Sequence, residues 1–177
     1  MNKNIAKLSQ LEIPLERDGF LRELLRQLSG TLENVVGLNE AEGFISVVGQ
    51  KVGESLNDSY RTALHVKKLN REQVSSVLVD LKQRIQGDFS IVSEDDTKIV
   101  IHGGSCPFGD KVIDRPSLCM MTSNVFGTIA SDNLGYAKVS LEKTIAKGAP
   151  SCQIAIYLTE SDESVMAEGH EYFLSEE

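Results

Sequence analysis

Beyond Pro14, the residues Phe20, Leu21, Leu24, Leu25, Leu28, Leu32, Val35 and Val36 recur at spacings of three and four. That period puts them on one face of an amphipathic helix from about Leu15 to Val36, with Gly37 as its stop. Asn39, with Glu42 three residues on, reads as the cap of a second helix to about Tyr60, which carries Phe44, Val47, Val48, Val52 and Leu56 inward. Gly43, Gly49 and Gly53 are spread along it. A glycine costs a helix interior roughly 0.5–1 kcal/mol relative to alanine, so these predict close approach of another backbone or a ligand, with tight helix packing favoured. Asn70 caps a third helix whose stripe is Val74, Val77, Leu78, Leu81 and Ile85.

The period then changes. Phe89, Ile91 and Val92, the acidic turn at Asp95 and Asp96, and the run from Lys98 to His102 read as a hairpin of two strands. Asp114 and Pro116 open a helix through Met120, Val125, Ile129 and Leu134, stopped by Gly135. Two strands follow, Tyr136 to Ile145 and Cys152 to Leu158. The order predicts an α+β domain: N-terminal helices packed on an antiparallel sheet of about four strands, with one intervening helix and no βαβ repeat. Residues 1–37 are expected to form a leader and dimerisation helix, 38–159 a sensory or ligand-binding α+β domain, and 160–177 an acidic tail with little anchoring.

The chain has 177 residues and a net charge of −8, with its Lys and Arg scattered. Affinity for a phosphate backbone rests on clustered cations, so direct nucleic-acid binding is not expected. No apolar run approaches a bilayer span, and Met1 to Lys7 lacks the apolar core of a secretory signal, which together predict a cytoplasmic protein. In a reducing compartment an odd number of thiols is not a disulfide framework. Cys106, Cys119 and Cys152 are therefore buried core thiols, metal ligands or redox groups.

Each cysteine stands beside a turn or a helix start: Ser105-Cys106-Pro107-Phe108-Gly109, Leu118-Cys119-Met120, and Ala149-Pro150-Ser151-Cys152. Thiolates are preferred ligands of zinc and iron–sulfur clusters, and three of them need one further donor. His102 is the first candidate for that place; Asp110, Asp132, Glu142 and an exogenous ligand are others. Free cysteine is also among the most often buried residue types, and no C-x-x-C knuckle is present. No nucleophile elbow surrounds Ser117, Thr122 or Ser123, and Gly103-Gly104 is too short for a phosphate cradle. Met120, Met121 and Phe126, with Phe44, Val48 and Phe108, are candidates to line an apolar pocket.

The helix pair around Gly49 and Gly53, the Cys106-Pro107-Phe108-Gly109 loop, the Leu118-Cys119 helix and the Ala146-to-Cys152 element resemble the methanogen output domain, a family related to the 4-vinyl reductase-type small-molecule-binding domain. The resemblance covers roughly Leu38 to Leu158. It implies an α+β dimer that receives small molecules or serves as a signalling module beside kinases and transcription factors, and some relatives hold zinc. In those relatives two further ligands stand where this chain has Thr144 and Leu141, so only Cys152 and Cys106 match that site. Cys119 lies on the helix between them. The resulting expectation is a sensory or regulatory homodimer, not an enzyme, that binds a zinc ion or iron–sulfur cluster through its three cysteines and signals to a partner such as a kinase or transcription regulator. The alternatives are a metal-free module for a small hydrophobic ligand and a thiol redox protein.

Overall fold

The computed structural model describes residues 8 and 10–174. The expectations for the leader at residues 1–7 and for the end of the tail at 175–177 lie outside the described residues. Three helices come first: α1 (Arg17–Val36), α2 (Leu38–Leu64) and α3 (Arg71–Arg84). The hairpin β1 (Asp88–Glu94) and β2 (Lys98–Ser105) leads to α4 (Cys119–Leu134), β3 (Tyr136–Lys143) and β4 (Cys152–Tyr157). A short helix α5 (Asp162–Met166) and a strand β5 (His170–Phe173) end the described chain. All pairings are antiparallel, in the order β1-β2-β4-β3-β5, so the α+β expectation holds with one strand added.

That added strand lies in the segment expected to be a loose acidic tail. Tyr172 is opposite Ala137 in the β3–β5 ladder, its ring lies where a Cβ of Gly127 would be, and its hydroxyl is 2.9 Å from Ser123 Oγ. Tyr172, seated in the space that Gly127 leaves, and Phe173, edge-on to Tyr136 at 5.6 Å, hold the strand, and the acidic composition around them hides these anchors.

One face of the sheet forms the core. Ile99 and Ile101 of β2, Val139 of β3, and Ile154 and Ile156 of β4 point to it, alternating with outward residues as the pleat requires. They pack against Val74, Leu78 and Leu81 of α3 and Val125, Phe126 and Ile129 of α4. Full burial of each such side chain stabilises the fold by about 1.5–3 kcal/mol. The Asn70 cap forms as expected, as a capping box with Gln73.

The second helix is turned differently from its apolar pattern. Ala41, Gly49, Gly53 and Asn57 are its buried positions, while Phe44, Val47, Val48 and Val52 are exposed. A Cβ on Gly49 would stand 2.8 Å from Asn124 Cβ, and one on Gly53 3.0 Å from Thr128 Cβ, so the small residues let α2 lie directly against α4. Close backbone approach wins over the larger side chains. The helix also starts at Leu38, immediately after Gly37, without the expected Asn39 cap.

Helix α1 docks in the same inverted sense. Its buried residues are Ser29 and Gly30, and Arg26 donates to the Lys111 and Ile113 carbonyl oxygens at 2.8 and 2.6 Å. Glu33 accepts from the Ser117 hydroxyl at 2.6 Å, and Lys111 pairs with Glu23 at 2.8 Å. Its polar face is thus bound to the domain, and Phe20, Leu21, Leu24, Leu25 and Leu28 face outward.

Candidate functional site

The β-hairpin and the start of β4 bring two thiols near each other. Gly103 pairs with Cys152, so the Cys152 side chain lies on the core face of the sheet, and Cys106 follows three residues after the end of that register, just beyond β2. The 3-10 turn Pro116–Leu118 delivers Cys119 as the first residue of α4. Gly103 has a second role here. A Cβ on it would meet the Phe89 ring at 2.8 Å, so the glycine lets that ring lie flat over the strand as part of the site.

The three thiols line one apolar cavity, with Phe89, Phe108, Leu118, Leu141 and Ile154 among its other walls. It is a slot of about 20 Å³, room for about one ordered water. Phe108 also forms part of a second, larger space of about 320 Å³ on its other side, bounded by Leu21 and Leu25 of α1, Ile85, Pro107 and Met121. Cavity and groove therefore share a wall.

Between them sits Lys82, near the end of α3 and only 5% exposed. Its Nζ donates to Thr122 Oγ1 at 2.7 Å, lies 5.3 Å from the Phe89 ring centre and 5.4 Å from that of Phe126. Thr122 and Phe89 line the cysteine cavity, and Lys82 itself lines the groove. Among the described residues it has no ion-pair partner. Burial pushes its pKa down to about 8, against a smaller upward pull from the three thiols.

Burial acts on the thiols in the opposite direction. Cys119 is pushed up to about 12, chiefly by desolvation and then by Cys106 and Cys152, with a hydrogen bond from Thr144 working the other way. Cys106 is raised by burial, against the Phe108 N–H and Lys82, which favour its thiolate. Both are protonated at neutral pH. The Cys152 sulfur accepts the Ile145 N–H at 3.4 Å. Thr144 is buried on the cavity wall and occupies the place where the resemblance puts a further cysteine.

Other expected site residues are dispersed. His102 is exposed on the opposite face of the sheet from Cys152, because it alternates with Ile101 and Gly103 and pairs with Gln153. The pleat that places Cys152 inward places His102 outward. Asp110 is exposed, Asp132 receives the Asn57 amide at 3.3 Å near the far end of α4, and Glu142 receives Gln153 at 2.7 Å. Among the described residues no three His, Cys, Asp or Glu side chains stand where they would hold one metal ion. Of the expected pocket, Phe108 lines the cavity, Met121 the groove, and Met120 a neighbouring cleft, while Phe126 is fully buried in the core. Phe44 and Val48 are exposed, because Gly49 and Gly53 claim the inner face of α2.

Lys82 is not among the candidates the sequence offers, and Thr122 enters there only as a position without a nucleophile elbow. Lys82 stands four residues after Leu78 and three before Ile85, inside the apolar stripe of its helix. A lone cation in such a stripe was the available signal.

Trafficking protein particle complex subunit 3 from Naegleria fowleri, solved covalently bound to palmitic acid, shares the fold with a TM-score of 0.61 at 15% identity, covering 80% of this chain and 96% of that one. The phenol-responsive sensory domain of the transcription activator PoxR, solved with phenol, superposes with a TM-score of 0.58 at 13% identity, covering 82% of this chain and 76% of that one. No curated protein matches by sequence. The family model of methanogen output domain 1 matches residues 24–157, a span that contains α2 to α4, most of α1, all three cysteines and Lys82, and the chain belongs to that family.

Proposed function

We propose that this chain is a sensory or regulatory module of a signalling protein, and that its signal is a small apolar organic molecule bound where the cysteine cavity and the groove meet at Phe108. The observation that carries this reading is the cavity itself: three thiols, of which burial keeps Cys106 and Cys119 protonated, and aromatic and aliphatic walls, next to a groove large enough for the rest of a ligand. Ligand sites are concave and mostly apolar with few polar groups, and this one has that composition. The family's description as an output domain supports the signalling role, and two solved structures of similar fold hold palmitic acid and phenol. The module is a binding protein in this reading, not an enzyme. Its output passes through the outward faces of α1 and α2 to a second copy and to a partner protein such as a kinase or transcription regulator.

A second reading is favoured by the convergence of three cysteines from three elements: a zinc ion or iron–sulfur cluster held by Cys106, Cys119 and Cys152. It requires the thiols to lose their protons and draw together, because their present placement does not fit an ion. Two measurements separate the readings. Titration calorimetry with hexan-1-ol should show saturable binding that is lost in Ala146→Phe, which fills the cavity from its wall. Native mass spectrometry of protein purified without oxygen should show the bare chain mass. No saturable binding, with a metal adduct lost in each Cys→Ser variant, would replace the first reading by the second.

A further inference from the structure

We infer that Lys82 is an anion receptor, and that the ligand of this module carries a carboxylate on an apolar chain. The inference rests on the apolar-ligand reading above and adds the charged end.

A lysine ammonium taken out of water is costly unless an opposite charge meets it. Here Lys82 is buried with one neutral hydrogen-bond acceptor, Thr122, and two aromatic rings. An ammonium has three donors, and no second acceptor is bonded to it among the described residues. Every charged or titratable group facing it leaves the charge unbalanced. From the cavity it meets Cys106, Cys119 and Cys152, of which Cys106 and Cys119 are held in the neutral form by burial. From the groove it meets Asp18, Arg22 and Arg84. Asp18 is engaged by Arg22, and Arg84 is engaged by Asp80 at 2.5 Å. Arg22 adds a buried Nε with no hydrogen-bond partner.

Of the three cations in the groove lining, Arg22 is met by Asp18 and Arg84 by Asp80, which leaves the charge of Lys82 as the one without an ion-pair partner among the described residues. Apart from Gln86, the groove's remaining walls, Leu21, Leu25, Ile85, Pro107, Phe108 and Met121, are apolar. Positive charge at a buried point within an apolar channel is complementary to an amphiphile with a single anionic end. A charge-assisted hydrogen bond from a buried ammonium is among the stronger polar contacts, and it would set the orientation of the ligand as well as its affinity.

The test uses the intact chain and matched probes: hexanoate against hexan-1-ol and octanoate against octan-1-ol, by titration calorimetry near neutral pH. Each carboxylate should bind about tenfold or more tightly than its alcohol, a difference of about 1.4 kcal/mol. Lys82→Met, which keeps much of the side-chain length and suits the surroundings, should abolish the preference, bringing each acid and its alcohol to about equal affinity. Thr122→Val, which only removes the hydroxyl that holds the ammonium, should narrow it. The preference should also fade as the pH rises above about 8, where Lys82 sheds its proton. Equal affinity of acid and alcohol in the wild type, or a preference that survives Lys82→Met, would overturn the anion receptor and leave the apolar site standing. Binding of neither series would overturn the apolar site and the receptor together.

Discussion

At the scale of single residues, Lys82 and the cysteines respond to burial in opposite ways, and both responses are measurable. The folded pKa of Lys82 is about 8, below its ordinary value of 10.5, so the folded protein binds this proton less readily than the unfolded chain. Below about pH 8 the ammonium is present in both states and its burial cost is felt in full. Between about pH 8 and the ordinary value the folded state loses the proton first, and stability from this group rises by up to roughly 3 kcal/mol. Cys119 works the other way, since a raised thiol pKa stabilises the fold below the unfolded value and that gain is lost as the pH climbs toward about 12. The comparison must therefore be made against a variant. Lys82→Met should be more stable than the wild type near pH 7 in urea unfolding, and its advantage should shrink toward pH 10. An advantage that stays flat over that range would mean that Lys82 is not a buried ammonium.

The thiols provide a second residue-scale prediction. With Cys106 and Cys119 raised by burial, little thiolate is present at pH 8, so alkylation by iodoacetamide should be at least about tenfold slower at these two sites than for an unfolded control peptide. Peptide mapping of a time course reads this directly. Rapid alkylation of Cys106 would instead favour the thiol redox reading. The presence of three thiols beside turns was legible in the sequence, and so was their possible convergence. What surrounds them was not, because Lys82 comes from α3 and Phe89 from β1, and they meet Thr122 of α4 only once these elements pack together.

At the scale of elements, α2 shows how small residues override an apolar pattern. Gly49→Ala should destabilise the protein by about 1–3 kcal/mol, since its Cβ would collide with Asn124 and the α2–α4 contact would have to open. Gly43→Ala lies on the same helix with no atom within 4 Å of the added Cβ, and should stabilise it by about 0.5–1 kcal/mol through helix propensity. Thermal or urea unfolding of the two variants reads opposite signs. Equal effects would mean that α2 does not lie against α4 as described. Helices α1 to α4 and strands β1 to β4 followed from period and punctuation. The faces of α1 and α2 did not, because a 3.6-residue period locates an apolar stripe without saying whether it covers this domain or a partner. β5 was also missed, since its anchor Tyr172 depends on the space left by Gly127 across the core.

At the scale of the whole molecule, the outward stripes of α1 and α2 give the protein an exposed apolar surface that includes Phe20, Leu24, Leu28, Phe44 and Val48. A surface of that kind marks an association site. The chain should sediment as a dimer, and Phe20→Ser combined with Leu28→Ser should shift it to monomer with its secondary structure retained. An unchanged mass in sedimentation would remove α1 from the interface. Dimerisation through this face would also place the α1 wall of the groove, Leu21 and Leu25, beside the second copy, so that ligand occupancy and assembly act on one helix.

The central claim is that a small apolar ligand binds at the cysteine cavity and its groove. Amide chemical-shift mapping by NMR during a titration with octanoate tests it most directly. Saturable shifts are expected to concentrate at Cys106 to Phe108, Cys119 to Thr122, Thr144 to Ala146 and the start of β4, with Lys82 and its neighbours on α3 moving at the same concentrations. Shifts confined to the exposed faces of α1 and α2, or no saturable shifts at any of the cavity positions, would contradict it.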